Sequence, residues 1–259
     1  TGANVGVGKE AARQLALKKE TEKTYLACRN PKKAEAAKAD LEKSTNKKIF
    51  EILIMDVSNV ESVRTAVSSL KEPIDALIMN AGGLAGKTPE KLTDSGMIEL
   101  SSVNVIGHVA LVDELLKNDK LNNVALYVSS EAARGIGKML KAPNLKTSSV
   151  EEFTSILDGT YFGNKFNVIE AYGLVKYTAT MWMSSLVRKH PTIKFLSMSP
   201  GSTKGTAIAQ ELPLMSKIMF QYILMPIVMP MMGMIQSLDK GAKRYVDGIT
   251  EDSFQTGVF

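Results

Sequence analysis

The chain has 259 residues, of which 44% are hydrophobic and 23% charged, which is the balance of an ordinary globular protein with room for one large α/β domain. Its net charge of +5 does not indicate a nucleic-acid partner, because the lysines are spread over several predicted helices and are not interleaved with aromatic residues. One cysteine and two histidines exclude an internal disulfide and a multi-cysteine zinc site, so we predict no metal.

The first predicted element is a glycine-rich turn that opens a helix, TGANVGVGKEAARQLA. Gly2, Gly6 and Gly8 permit a tight turn and let backbone amides approach a diphosphate at the positive end of that helix. Because such a turn normally follows a strand, we expect a strand, and any targeting segment, upstream of Thr1. No secretory signal is visible, and the single cysteine favours a reducing compartment such as the cytoplasm or an organelle matrix.

Short apolar runs then alternate with helical patterns along the chain. The predicted strands are residues 24–28, 50–57, 75–82, 124–130 and 194–201, and the predicted helices are residues 31–43, 60–70, 100–116 and 172–188. Strands that are nearly continuous in apolar residues and separated by helices indicate a parallel sheet covered on both faces. We therefore predict an α/β fold, a Rossmann-like doubly wound parallel sheet, in a single domain over residues 1–259.

Short motifs follow the glycine turn in a distinctive order. They are NAGG at 80–83, SVNVIGH with Asn104, YVSS with Ser130, Tyr172-x3-Lys176 and SPGS at 199–202. Together with the Gly2-x3-Gly6-x-Gly8 spacing, this order resembles the short-chain dehydrogenase/reductase family over nearly the whole chain. The resemblance implies a nicotinamide-dependent oxidoreductase that transfers a hydride between the cofactor and a carbonyl or alcohol.

The resemblance also implies a catalytic set of Asn104, Ser130, Tyr172 and Lys176. A tyrosine with its ordinary pKa of about 10 is a poor acid at neutral pH unless a cation stabilises its anion, and Lys176 lies one helical turn from Tyr172. Tyr172 is then the general acid/base, and Lys176 also holds the nicotinamide ribose. Ser130, in preference to the adjacent Ser129, hydrogen-bonds the substrate oxygen, and Asn104 holds a relay water.

The choice of cofactor is argued from the end of the strand at 24–28, which reads ACRN. An acidic residue at this place binds the ribose 2′-hydroxyl of NAD, whereas Cys28 stands here and Arg29 follows, so we predict NADP(H) in preference to NAD(H). Asp56 has a second interpretation as a helix cap, and Thr206 is displaced by one residue from the usual threonine position. The predicted cofactor-binding residues are Gly2, Asn4, Gly6, Val7, Gly8, Arg29, Asn30, Asp56, Val57, Asn80, Ala81, Gly82, Tyr172, Lys176, Pro200, Gly201, Thr203 and Thr206.

Two stretches interrupt the alternation of strands and helices. Residues 131–171 form a long insert, and residues 212–236 are rich in methionine and broken by prolines. The resemblance places a substrate lid at 204–240, and methionine suits irregular apolar ligands. The alternatives for 212–235 are peripheral contact with a membrane or an apolar interface in a homo-oligomer.

The insert and the segment ACRNPKKAEAA resemble the branch that contains retinol dehydrogenases and light-dependent protochlorophyllide reductases, so we predict a lipophilic small-molecule substrate. The alternatives are a C=C reductase like the light-dependent enzymes, or an NADP(H)-binding regulatory protein without catalysis. A nucleotide-sugar epimerase is disfavoured, because its relatives carry a longer C-terminal substrate domain.

Overall fold

The structure is a computed structural model that describes residues 1–136, 140–203 and 235–256. The helices are α1 (Gly6–Leu17), α2 (Pro31–Thr45), α3 (Val60–Ser69), α4 (Glu99–Ser101), α5 (Gly107–Lys117), α6 (Val150–Asp158), α7 (Val168–Lys189) and α8 (Leu238–Thr250). The strands are β1 (Thr24–Cys28), β2 (Phe50–Ile54), β3 (Ile74–Met79), β4 (Leu121–Val128), β5 (Lys194–Met198), β6 (Ser202–Thr203) and β7 (Ile235–Gln236).

The strands pair in parallel, as the apolar runs predict. β1 pairs with β2, β3 pairs with β4, and β4 pairs with β5, while β6 and β7 form a short separate pair. The glycine-rich turn lies between the first two groups of strands. The Gly2 amide donates to the Ala27 carbonyl of β1, and the Asn80 side chain beyond β3 donates to the Gly2 carbonyl. The turn therefore ties both groups together at the carboxyl ends of their strands.

Alternate residues of β4 face two different cores. Val124, Leu126 and Val128 pack with α1 and α8, whereas Ala125 and Tyr127 pack in the large core with α5 and α7. This period of two is the geometry of a strand that is covered by helices on both faces. The predicted doubly wound α/β fold is confirmed.

Several predicted boundaries were wrong by a few residues. The predicted helix 172–188 begins four residues earlier, at Val168, because Asn167 caps its first turn by accepting from the amides of Ile169 and Glu170. The predicted helix 100–116 is interrupted by a π-helical turn at Ser102–Ile106. Single-turn π segments are frequent at functional sites, and this one contains Asn104. The sequence did not predict α8 or the β6–β7 pair.

Gly107 shows how closely α5 approaches the loop after β2. A β-carbon built on Gly107 would lie 1.6 Å from the Val57 carbonyl oxygen. Only glycine fits at this contact, because any larger side chain would overlap backbone atoms. The contact fixes the position of the π-helical turn that precedes α5.

Within the insert 131–171, the Glu152 carboxylate anchors residues 146–148 to the first turn of α6. The carboxylate accepts the backbone amides of Lys146, Thr147 and Ser148, each at 2.8 Å, and the Thr147 hydroxyl. These donors lower the Glu152 pKa to about 2. In return, the Ser149 hydroxyl caps the first turn of α6 by accepting a hydrogen bond from the Glu152 backbone amide.

Part of the sequence analysis concerns residues that the structure does not describe. Thr206, the methionine-rich segment up to Met234 and the lid over 204–234 lie outside the described residues. Within the described ranges, no helix combines the length and the hydropathy needed to cross a bilayer.

Candidate active site

Tyr172 and Lys176 lie on one face of α7, as their spacing of four predicts. The Lys176 ammonium nitrogen is 5.7 Å from the centre of the Tyr172 ring. Tyr172 is 8% exposed and Lys176 is 2% exposed. The two side chains therefore share a buried pocket instead of extending separately to the surface.

Burial makes the Lys176 ammonium unusual. Its Nζ donates to the Val128 carbonyl at the end of β4, at 2.9 Å. Removal from water lowers the pKa of Lys176 to about 7. A small change in its surroundings therefore changes its charge near neutral pH, which is a property of groups that take part in proton chemistry.

Asn104 uses its side chain to hold the loop after β3. Its Oδ1 accepts the Gly83 amide at 3.1 Å, and its Nδ2 donates to the carbonyls of Gly83 and Leu100, each at 2.8 Å. Its backbone carbonyl accepts the Tyr127 hydroxyl at 2.8 Å. The Asn104 side chain is therefore committed to neighbouring backbone groups, and the relay water at Asn104 stays a prediction.

The two serines at the end of β4 have different environments. Ser129 is buried, and its hydroxyl is 2.9 Å from the Thr180 hydroxyl on α7. Ser130 is half-buried, and its Oγ accepts the Ala132 amide at 3.2 Å. That bond leaves the Ser130 hydroxyl hydrogen available for a second acceptor.

The turn that follows Ser130 lies close to Tyr172 because Gly173 has no side chain to keep that turn away from α7. A β-carbon on Gly173 would lie 2.8 Å from the Ala132 carbonyl oxygen, two residues beyond Ser130. The turn that Ser130 caps therefore packs directly against α7 beside Tyr172. The structure brings Ser130, Tyr172, Lys176 and Asn104 to the same end of the sheet.

The glycine-rich turn fits a dinucleotide phosphate. Val5 precedes α1 and gives the helix no side-chain cap, and the first turn of α1 has no acidic residue. By contrast, side-chain oxygens cap α2, α3, α6, α7 and α8. The uncapped amides and the positive end of α1 suit an anion.

Glycine is also required for the shape of this turn. Gly2 and Gly6 have φ values of 63° and 62°, and a β-carbon on Gly8 would lie 2.4 Å from the Asn80 amide nitrogen. Asn4 is half-buried within the turn, whereas Val7 is buried against β4 and α8. The Val7 side chain therefore packs in the core, and only its backbone lies in the turn.

The Asn80–Ala81–Gly82 segment is held from two sides. The Ala81 amide donates to the Thr1 hydroxyl, and the Ala81 carbonyl accepts His108 Nε2 of α5 at 2.8 Å. Burial lowers the His108 pKa to about 3, so its ring stays neutral and Nε2 carries the donated proton. A β-carbon on Gly82 would lie 2.6 Å from Asn104 Oδ1 and 3.2 Å from Lys176 Nζ.

The end of β1 places a cation where the adenosine ribose is expected. Cys28 is buried, whereas Arg29 is exposed, and the first turn of α2 has no acidic residue. The Asn30 side chain caps α2 by accepting the Lys33 amide. Asp56 accepts the Ser58 amide and hydroxyl in a local turn, so its alternative interpretation as a helix cap was wrong, because Asn59 caps α3.

The turn after β5 is supported by α8. Gly201 has a φ of 68°, and the Thr203 hydroxyl donates to the carbonyls of Pro200 and Gly201, each at 3.3 Å. Arg244 of α8 donates to the Ser199 carbonyl at 3.2 Å. The Pro-Gly turn and Thr203 are thus fixed at the same end of the sheet as Tyr172.

The sequence analysis missed three residues of this site: Tyr127, His108 and Arg244. The alternation of β4 could have placed Tyr127 on the same face as Ala125. His108 lies one helical turn after Asn104, which predicts a shared face. Arg244 had no signal in the sequence, because α8 itself was not predicted.

Comparisons with known proteins identify the family of the chain. Residues 1–140 match the family model described as short chain dehydrogenase. A bovine protein named dehydrogenase/reductase SDR family member 12 is 29% identical over 218 residues, which is 82% of this chain and 62% of that protein. Human retinol dehydrogenase 12 is 33% identical over 143 residues, 54% of this chain and 44% of that protein. The chain thus spans about two fifths to three fifths of the length of these relatives.

Among solved structures, an NADPH-bound carbonyl reductase from chicken fatty liver superposes with a TM-score of 0.63 at 18% identity, covering 100% of this chain and 92% of that one. Because the sequence identity is low, this likeness supports the fold alone. The family match covers more than half of the chain and contains the glycine turn, the Asn80 segment and Ser130. The chain belongs to the short-chain dehydrogenase/reductase family of oxidoreductases and resembles its retinol dehydrogenase-like branch.

Proposed function

We propose that this protein is an NADP(H)-dependent oxidoreductase that interconverts a carbonyl and an alcohol on a lipophilic small molecule. The observation that carries the proposal is the buried pair on α7, where the Lys176 ammonium lies 5.7 Å from the Tyr172 ring. A bound nicotinamide supplies or accepts a hydride.

Tyr172 is the general acid in the reductive direction. Its phenol donates a proton to the substrate oxygen as negative charge develops there. The Lys176 ammonium stabilises the phenolate that results, because an opposite charge nearby favours the ionised form. Ser130 donates its hydroxyl hydrogen to the same substrate oxygen, which stabilises the developing charge.

Arg29 supports NADP(H) over NAD(H). Its exposed guanidinium follows directly after β1, where an acidic residue would bind the 2′-hydroxyl of NAD. A guanidinium pairs well with the adenosine 2′-phosphate of NADP through planar, charge-assisted hydrogen bonds. The neighbouring helix α2 adds no acidic residue in its first turn to oppose that charge.

A lipophilic substrate is supported by the relatives named retinol dehydrogenase 12 and 13. The light-dependent reductase alternative relies on a cysteine near the substrate. Cys28 is the only cysteine of the chain, and it is buried at the end of β1, on the side of the predicted adenosine site. The carbonyl reductase interpretation is therefore preferred.

The test is NADPH oxidation with a panel of lipophilic aldehydes and ketones, run on wild type and Tyr172→Phe. We expect turnover of at least one compound by wild type, and a loss of about a hundredfold to ten-thousandfold in the variant. NADPH binding, followed by nicotinamide fluorescence, should be retained. Tight binding without turnover of any compound would instead support a regulatory protein.

A further inference from the structure

Tyr127 lies beside Lys176 but has no role in the reaction described above. It is fully buried on β4, and the centre of its ring is 4.7 Å from Lys176 Nζ. The Tyr172 ring is farther from the ammonium, at 5.7 Å. Among the residues that the structure describes, the aromatic face nearest to the ammonium thus belongs to a tyrosine that the family motif does not include.

The Lys176 ammonium needs a compensating group. It is 2% exposed, and across residues 1–136, 140–203 and 235–256 no carboxylate forms an ion pair with it. The bond to the Val128 carbonyl satisfies one of its three donors. The negative face of an aromatic ring attracts a cation within about 6 Å, and more strongly when both are removed from water.

The Tyr127 ring is held in one orientation. Its hydroxyl donates to the Asn104 carbonyl at 2.8 Å, inside the π-helical turn. The His108 ring packs against Tyr127 at 5.9 Å with an interplanar angle of 77°. Burial raises the Tyr127 pKa well above 10, so the phenol stays protonated and continues to donate.

We propose that Tyr127 is a positioning residue that holds the Lys176 ammonium on its ring face, with its hydroxyl bond to Asn104 fixing the ring. The titratable groups around the ammonium are Tyr172 on the same helix, Tyr127 on β4 and His108 on α5. His108 stays neutral, so the charged form of Lys176 is favoured by the Val128 carbonyl and by the two tyrosine rings, of which Tyr127 is the closer. The inference rests on the proposed function only for the catalytic use of that charge.

The first test follows the charge of Lys176 directly, by NMR titration of protein labelled with ¹⁵N-lysine, without substrate. The Lys176 signal is assigned by its absence in Lys176→Arg. In Tyr127→Leu we expect the pKa of Lys176 to fall by about one unit. At a given pH, the ratio of ammonium to neutral amine would then be about tenfold lower. In Tyr127→Phe, which keeps the ring, the fall should be less than half as large.

The matched control is Phe195→Leu, which removes another fully buried ring from the neighbouring strand β5. Its ring lies 6.2 Å from the His190 ring, between ring centres. The control should leave the Lys176 pKa unchanged. An equal fall in the control, an unchanged pKa in Tyr127→Leu, or an equal fall in Tyr127→Phe would overturn the proposal.

A second test avoids any cavity, in case Tyr127→Leu fails to fold. Tyr127→Phe is prepared with plain phenylalanine or with 3,5-difluorophenylalanine, which has nearly the same shape but a weaker negative face. We expect the fluorinated form to lower the Lys176 pKa further, and equal values in the two forms would overturn the role of the ring. Both tests need no turnover, so they are decided separately from the carbonyl assay.

Discussion

At Lys176, burial favours the neutral amine, whereas the proposed reaction needs the charged ammonium. The ammonium is nearly inaccessible to water, and its pKa falls to about 7 as a result. The spacing of Tyr172 and Lys176 predicted their shared face, because residues four apart lie one above the other on a helix. The spacing could not predict the depth of burial or the contact with Tyr127, since both depend on the packing of α7 against β4.

The pH dependence of the reaction follows from the charge on Lys176. Reduction needs the ammonium to stabilise the Tyr172 phenolate, so kcat/KM should fall as pH rises through about 7. Lys176→Arg keeps a cation at every accessible pH, since the arginine pKa exceeds about 12. We expect the variant to react more slowly and to lose this fall. A wild-type kcat/KM that stays constant from about pH 6 to about pH 9 would contradict this role.

Arg29 gives a second prediction at this scale, for cofactor choice. Arg29→Asp should weaken NADPH binding by about ten- to a hundredfold while leaving NADH binding nearly unchanged, because only NADPH carries the 2′-phosphate. Arg188→Asp, with the same charge change at the end of α7, is the control and should not alter the ratio. Dissociation constants from nicotinamide fluorescence check this. An unchanged preference in Arg29→Asp would refute the assignment.

Among the elements, the capping residues explain why the first residues of α2 and α3 were predicted and that of α7 was not. Asn30 and Asn59 cap α2 and α3 at the predicted first residues, Pro31 and Val60. For α7, the Tyr172-x3-Lys176 motif predicted a start at Tyr172, but Asn167 caps the helix five residues upstream. The π-helical turn before α5 was not predicted, because its five residues, Ser102–Ile106, are too few to show a period of their own.

The Glu152 anchor predicts a local effect in the insert. Glu152→Gln should make the backbone amides at 146–148 exchange with solvent about tenfold faster or more, because each loses a bond to a charged acceptor. Glu151→Gln is the control on the same helical turn. Hydrogen exchange by mass spectrometry measures both variants. Equal exchange in the two would show that the carboxylate does not hold residues 146–148.

The anchor also has a pH dependence. The folded-state pKa of Glu152 is lowered from 4.5 to about 2, so its stabilisation is present above pH 4.5 and is lost as pH falls toward about 2. The wild-type amides at 146–148 should therefore lose protection over that interval. In Glu152→Gln, protection should not change there.

Over the whole molecule, the alternation of apolar strands and helices was sufficient to predict the fold. Parallel strands bring their carboxyl ends to one edge, so the motifs after β1, β3, β4 and β5 had to meet there. That geometry brings Arg29, Asn80, Ser130 and Pro200 to the edge where Tyr172 lies, and bonds to Ala27 and Asn80 hold the glycine turn at this edge. Supports that come from outside the motifs, such as Arg244 on α8, depend on how the last helix packs and could not be placed from the sequence.

The central claim is that this site transfers a hydride from NADPH to a carbonyl carbon, with Tyr172 supplying the proton. The most direct measurement uses NADPH deuterated at nicotinamide C4, on either face, with a lipophilic carbonyl compound, and analyses the alcohol by mass spectrometry. We predict one deuterium at the former carbonyl carbon with wild type, from one face only, and almost none with Tyr172→Phe. Bound NADPH with no deuterium in any product, or equal transfer by Tyr172→Phe, would contradict the account.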